Sequence, residues 1–131
     1  LSVPRERAAT IGDIMPSVGL VRHQWKKHGT CTGLDQEAYF AVTRAAFERV
    51  ALPEAFAGRD TATSLAPADV ERAFLAANPD LPADAIAVTC DRRFLRDVRI
   101  CLTRDLDAFT SCPEVDRRAC DLPAVVVPPD D

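Results

Sequence analysis

Several features are missing from this 131-residue sequence. No apolar run approaches the roughly 18–20 residues a membrane span needs, so no membrane partner is expected. There is no internal repeat, no low-complexity tract and no linker that would split the chain. Positive charge is not in surplus. Lys and Arg number 16 against 20 Asp and Glu, a net charge of −4, which argues against a generic polybasic nucleic-acid or membrane-surface binder. The opening Leu1-Ser2-Val3-Pro4-Arg5-Glu6-Arg7 has neither an initiator methionine nor the apolar centre of a signal peptide. Histidine occurs only twice, and tryptophan and tyrosine once each.

What is present reads as one domain. At 47% hydrophobic and 27% charged residues the chain can bury a core, and its length suits a single domain with no internal boundary over 1–131. Residues 5–15 carry Ala8, Ile11, Ile14 and Met15 at helical spacing, with Pro16 as the stop. Asp35 is a candidate N-cap for a helix running to about Val50, with Phe40, Phe47 and Val50 on one stripe and Thr43 as its one polar member. Residues 61–66 read as a loop. Pro67 then opens a helix that buries Val70, Ala73, Phe74 and Ala77 and stops at Asn78-Pro79. Alternation at Ile86, Val88 and Cys90, and more loosely at Leu95, Val98 and Ile100, predicts two strands around Asp91-Arg92-Arg93. A last strand is predicted over 124–127. Helices first and strands later indicate an α+β domain.

Cys31 stands alone, whereas Cys90, Cys101, Cys112 and Cys120 crowd the last third of the chain. Their spacings contain no C-x-x-C knuckle of the kind a zinc ribbon uses, and such clustering reads better as disulfides formed in an oxidising compartment. Two pairs drawn from five cysteines allow fifteen arrangements, and the sequence does not choose among them. One of them, Cys101–Cys112 nested inside Cys90–Cys120, would staple two strands to the following loop and leave Cys31 unpaired.

The chemistry is concentrated in one segment. Residues 22–31 read Arg-His-Gln-Trp-Lys-Lys-His-Gly-Thr-Cys and hold both histidines, both lysines and the only tryptophan of the chain. On a helix turning about 100° per residue, with His23 at zero, Lys27 lies at about 40°, Gln24 at about 100° and His28 at about 140°. Trp25 and Lys26 fall away from that face, where the indole can anchor the helix, and Gly29 stands at a helix-ending C′ position. Two imidazoles, an amide and an ammonium on one face suit acid–base cleavage of a phosphodiester. An imidazole can take a proton from a ribose 2′-hydroxyl, and an ammonium can stabilise charge building on the phosphoryl oxygens. No metal or other cofactor is required. A zinc site competes, but His23 and His28 are five residues apart, not the four of H-E-x-x-H, and Gln24 is not a carboxylate.

This segment resembles the second active-site segment of the ribonuclease T2 family, whose pattern is H-E-W-x-K-H-G-T-C. His23-Gln24-Trp25-Lys26-Lys27-His28-Gly29-Thr30-Cys31 departs from it only at Gln24. Val88-Thr89-Cys90, Arg99-Ile100-Cys101-Leu102 and Val127-Pro128-Pro129 are similar to the family's C-terminal strands. The resemblance implies helices packed on a mainly antiparallel sheet whose first strands lie elsewhere, the chain corresponding to the C-terminal portion of one such domain. It implies a metal-independent endoribonuclease that cleaves single-stranded RNA through a 2′,3′-cyclic phosphate, secreted or periplasmic. His28 would be the general base, Lys27 would stabilise the transition state and His23 would bind phosphate. Gln24, where the family has Glu, can donate a hydrogen bond but cannot relay a proton.

The family's earlier H-G-L-W-P segment, whose histidine is the general acid, has no counterpart here. One acid–base catalyst is worth about 10²–10⁴ in rate, so the chain alone is expected to be nearly inactive. An N-terminal fragment of the same protein, linked through Cys31, is the expected partner. The alternatives are a catalytically impaired RNA- or phosphate-binding module of the same fold, and a disulfide-rich interaction domain.

Overall fold

The computed structural model describes residues 2–117 and 119–129. The chain divides into two compact units, the first reaching to Arg49 and the second beginning at Val50. No Gly- or Ser-rich stretch marks that join in the sequence.

In the first unit, α1 (Arg5–Ala9), α2 (Val18–Lys27) and α3 (Gln36–Arg49) enclose Val3, Ala8, Ile11, Val21 and Phe40. α1 is shorter than its periodicity predicts. Thr10 turns its hydroxyl back to the carbonyl of Arg7. The amides of Ile11, Gly12 and Ile14 then bond three residues back, so the chain tightens into successive turns while Ile11 stays buried. α2 starts at Ser17, whose Oγ accepts from the Leu20 amide, and α3 starts as expected at Asp35, whose Oδ1 accepts from the Ala38 amide at 2.8 Å. The expected stripe on α3 is corrected. Phe40 and Thr43 face inward as expected, but Phe47 is 55% exposed, and the inward face is completed by Gln36 and Tyr39. Gln36, 8% exposed, fits there because its side chain accepts from Arg7 and donates to the Ser2 carbonyl.

In the second unit a four-stranded sheet with the order β1-β4-β3-β2 packs against α4 (Pro67–Ala77). β2 (Ile86–Asp91) and β3 (Phe94–Ile100) form the predicted hairpin, turning at Arg92, which has positive φ. A bulge gives β3 one extra residue, Arg96, opposite Thr89 and Cys90. That accounts for the loose alternation: Leu95 and Val98, three apart, both reach the core. β4 (Val125–Val127) pairs antiparallel with β1 (Thr63–Leu65). Residues 61–66 are therefore not all loop. β1 is a short edge strand with two exposed residues, and Thr-Ser-Leu carries no apolar alternation to announce it. β3 and β4 are parallel and joined at one residue pair, Phe94↔Val126, so the sheet is mixed. Val70 and Phe74 of α4 bury against Ile86 and Val88, and Asn78 caps the helix end. Its side chain binds both backbone groups of Ala51 and the carbonyl of Phe74.

The nested disulfides form, Cys90–Cys120 and Cys101–Cys112, tying the hairpin to the C-terminal segment that includes α5 (Pro113–Asp116). Among the described residues no helix is long and apolar enough to cross a membrane.

Candidate active site

The buried side of α2 fixes which way its polar side faces. Val21 is fully buried and Val18 and Trp25 pack against the same cluster, at about 160°, 220° and 200° around the helix from His23. The Trp25 ring meets Tyr39 edge-on at 5.5 Å between centroids and lies 6.5 Å from Phe40. Burial also holds the Tyr39 phenol above its ordinary pKa. His23 and Lys27 are exposed on the opposite side, and Gln24 is half-buried beside them.

His28 lies just past the helix as its C-cap, its amide donating to the Gln24 carbonyl at 2.9 Å, and its side chain is exposed. Lys26, Lys27 and His28 thus gather at the C-terminal end of the helix, where its dipole presents partial negative charge. A 3-10 turn, Gly29–Cys31, follows, and the Cys31 amide donates to the carbonyl of His28. The Thr30 hydroxyl donates to the Lys26 carbonyl and the Thr32 hydroxyl to that of Gly29, so hydroxyls satisfy the end of the helix and the turn after it. Cys31 is a free, exposed thiol one turn from His28.

The role of Gly29 differs from the helix-stop reading. It does occupy C′, but its φ is not positive, so conformational freedom is not what the position requires. A Cβ there would stand 2.8 Å from Cζ3 and 3.0 Å from Cδ2 of Trp25, and closer still to Cε3. The glycine is bare because the anchoring indole lies against it. Two further features escaped the sequence reading. Leu20, at about 60° on the same helical scale, is 42% exposed in the middle of the polar face. Arg22 does not join that face, since its Nε donates to the carbonyl of Val3.

α2 therefore presents an imidazole and an ammonium to solvent with a half-buried amide beside them, and a second exposed imidazole and an exposed thiol follow just past its end. The model of the Ribonuclease T2 family matches residues 13–112. A protein named Ribonuclease from Aeromonas hydrophila is 31% identical over 121 residues, covering 80% of this chain and 50% of its own length. Ribonuclease I from Escherichia coli (strain K12) is 27% identical over 108 residues, covering 76% of this chain and 40% of its own. The chain spans half or less of the length of these curated relatives.

Proposed function

The chain belongs to the ribonuclease T2 family, and we propose that it carries the general-base half of an endoribonuclease active site acting on single-stranded RNA. Exposed His23 and Lys27 on α2, with half-buried Gln24 beside them and exposed His28 just past the helix, are the observation that carries this reading. His28 takes the proton of a ribose 2′-hydroxyl. The 2′-oxygen attacks the adjoining phosphorus, the bond to the 5′-oxygen breaks, and a 2′,3′-cyclic phosphate forms. In the second step water attacks the cyclic phosphate, giving its proton to the group that had protonated the 5′-oxygen in the first step, the bond from phosphorus to the 2′-oxygen breaks, and His28 returns a proton to that departing oxygen. His23 binds a phosphoryl oxygen and Lys27 offsets the charge that builds on the pentacovalent phosphorus. These side chains need no metal for that sequence.

The leaving 5′-oxygen needs a general acid, and both histidines are already assigned. The remaining part of the domain supplies that acid and a thiol for Cys31. Because the Cys31 amide is bonded to the His28 carbonyl, a disulfide there holds the second half within one turn of the base. The two intrachain disulfides favour an extracytoplasmic compartment, secreted or periplasmic.

The test is turnover of a dinucleoside monophosphate by the complete gene product in excess EDTA. A 2′,3′-cyclic phosphate should appear, and His28→Ala should slow it by about 10²–10⁴. Gln24 favours one second reading, an impaired RNA- or phosphate-binding module, because an amide donates to phosphate but relays no proton. No turnover in EDTA, with RNA binding retained, would establish that reading instead.

A further inference from the structure

The β2/β3 hairpin ends in a two-residue turn, Arg92-Arg93, that is held from both sides. Asp91 and Phe94 pair across its base, the Arg93 carbonyl accepts from the Val126 amide at 2.8 Å, and the Cys90–Cys120 disulfide anchors β2 two residues before the turn. Arg92 has a φ of 56°, a left-handed conformation that hairpin turns give most readily to Gly or Asn. An arginine there works against the turn's own preference. Its guanidinium supports nothing in the fold, having no hydrogen-bond or ion-pair partner among the described residues.

Around that tip the exposed groups are cationic and aromatic. Leu95, Val98 and Ile100 of β3 pack against the core, which leaves Phe94 and Arg96 outside it. Arg93 stands over the exposed Phe94 ring, 5.0 Å from its centroid. Arg96, the extra residue of the bulge, is largely exposed and comes no nearer than 3.8 Å to the Asp97 carboxylate. Residues 91–99 thus hold four arginines against two aspartates, a local positive surplus in a chain whose net charge is −4.

We propose that this hairpin tip is a second contact for single-stranded RNA, separate in sequence from the His23–His28 segment. Arg92, Arg93 and Arg96 meet backbone phosphates, and an unpaired base stacks on the Phe94–Arg93 pair. The ligand is a phosphate chain because the free groups are guanidinium groups, whose planar fork matches phosphate oxygens. It is single-stranded because a ring and a guanidinium plane offer flat faces only to a base that is out of a duplex. RNA is favoured over a lipid surface because the reaction proposed above already brings RNA to this chain, and the inference rests on that reading. It adds a place where the substrate is held by groups that take no part in the chemistry.

The experiment measures binding of a fluorescent oligouridylate to the complete gene product carrying His28→Ala, with RNA cleavage by the protein that retains His28 assayed in parallel. Arg92→Gln, Arg93→Gln and Arg96→Gln together should weaken binding about 10²-fold at ~0.1 M salt and lower the slope of log K against log salt by about 2, at roughly 0.7 per phosphate contact. Arg5→Gln, Arg72→Gln and Arg104→Gln, an equal loss of exposed charge, should weaken it less than about threefold. Phe94→Leu should weaken it about tenfold and leave binding of a duplex RNA of the same length unchanged. Arg92→Lys, Arg93→Lys and Arg96→Lys together keep the charge and should keep the slope. Equal losses from the two glutamine triples, a duplex weakened as much by Phe94→Leu, or a slope that the lysines fail to keep overturns the inference. So does RNA binding that is unchanged while capture on phosphatidylglycerol vesicles is lost, which makes the partner a membrane surface. Cleavage with RNA binding indifferent to the hairpin removes this contact and leaves the ribonuclease reading standing. Hairpin-dependent binding without cleavage does the reverse.

Discussion

Replacing Gly29 with alanine should destabilise the first unit although alanine is the better helix former. The added methyl would sit 2.8 and 3.0 Å from two atoms of the Trp25 ring, where ordinary contacts are 3.4 Å or more. The ring cannot simply yield, because Tyr39 and Phe40 pack on it and it anchors α2 to the cluster around Val21. Overpacking of this kind costs about 1–3 kcal/mol. Loss of glycine's freedom in the unfolded chain returns about 0.4–1 kcal/mol, since the backbone here is not left-handed. The net is a loss of about 1–2 kcal/mol, or about 4–8 °C in Tm for a chain of this size. Urea denaturation followed by fluorescence reads it directly, because Trp25 is the only tryptophan. Gly19, on the same helix, is the control. A Cβ there meets only Ser17 Oγ at 3.5 Å, so Gly19→Ala should stabilise by about 0.5–1 kcal/mol. In a Trp25→Leu background, followed by circular dichroism, the Gly29→Ala penalty should largely vanish. Unchanged stability and emission in Gly29→Ala would refute the reasoning, as would an equal penalty without the indole.

Three more outcomes follow from the packing. Asn78→Ala should cost about 2–4 kcal/mol in chemical denaturation, because it strands the Ala51 amide and carbonyl beside a residue only 6% exposed; a loss under 0.5 kcal/mol contradicts it. Replacing Cys101 and Cys112 together by alanine should cost about 3 kcal/mol, and Cys90 with Cys120 about 4 kcal/mol, following the separations of 11 and 30 residues. A reversed order in thermal melts would refute the loop-closure account. The Asp13 carboxyl is held below its ordinary pKa by its hydrogen bond from Arg44, so its contribution is present above the unfolded value of about 3.9 and is lost as pH falls through the lower folded value. The stability gap between the wild type and Asp13→Asn should be constant near neutrality and close below that range; a gap that widens in acid contradicts it.

The sequence made legible what is strongly periodic or locally capped. Asp35 and Pro67 mark real helix starts, the 86–100 hairpin lies where alternation placed it, and the polar face of α2 is exposed as the helical angles require. Other features depend on partners distant in sequence. β1 exists because β4 offers it a ladder, not because Thr-Ser-Leu favours a strand. Phe47 is exposed because apolar spacing alone does not say how far along a helix the core extends. Gly29 reads from the sequence as a helix stop, whereas the structure shows that the indole four residues earlier is what excludes a side chain there. The loose Leu95–Val98–Ile100 spacing was itself the trace of the bulge at Arg96.

The central claim is that one face of α2, and not its positive charge as such, serves the phosphodiester. Lys26 and Lys27 are adjacent, exposed and equally charged, yet lie at about 300° and 40° from His23. The direct measurement is kcat for RNA cleavage by the complete gene product carrying Lys27→Ala or Lys26→Ala. The account predicts a loss of about 10²–10³ for Lys27→Ala and less than about threefold for Lys26→Ala. Equal losses from the two substitutions, or the larger loss at Lys26, would contradict it.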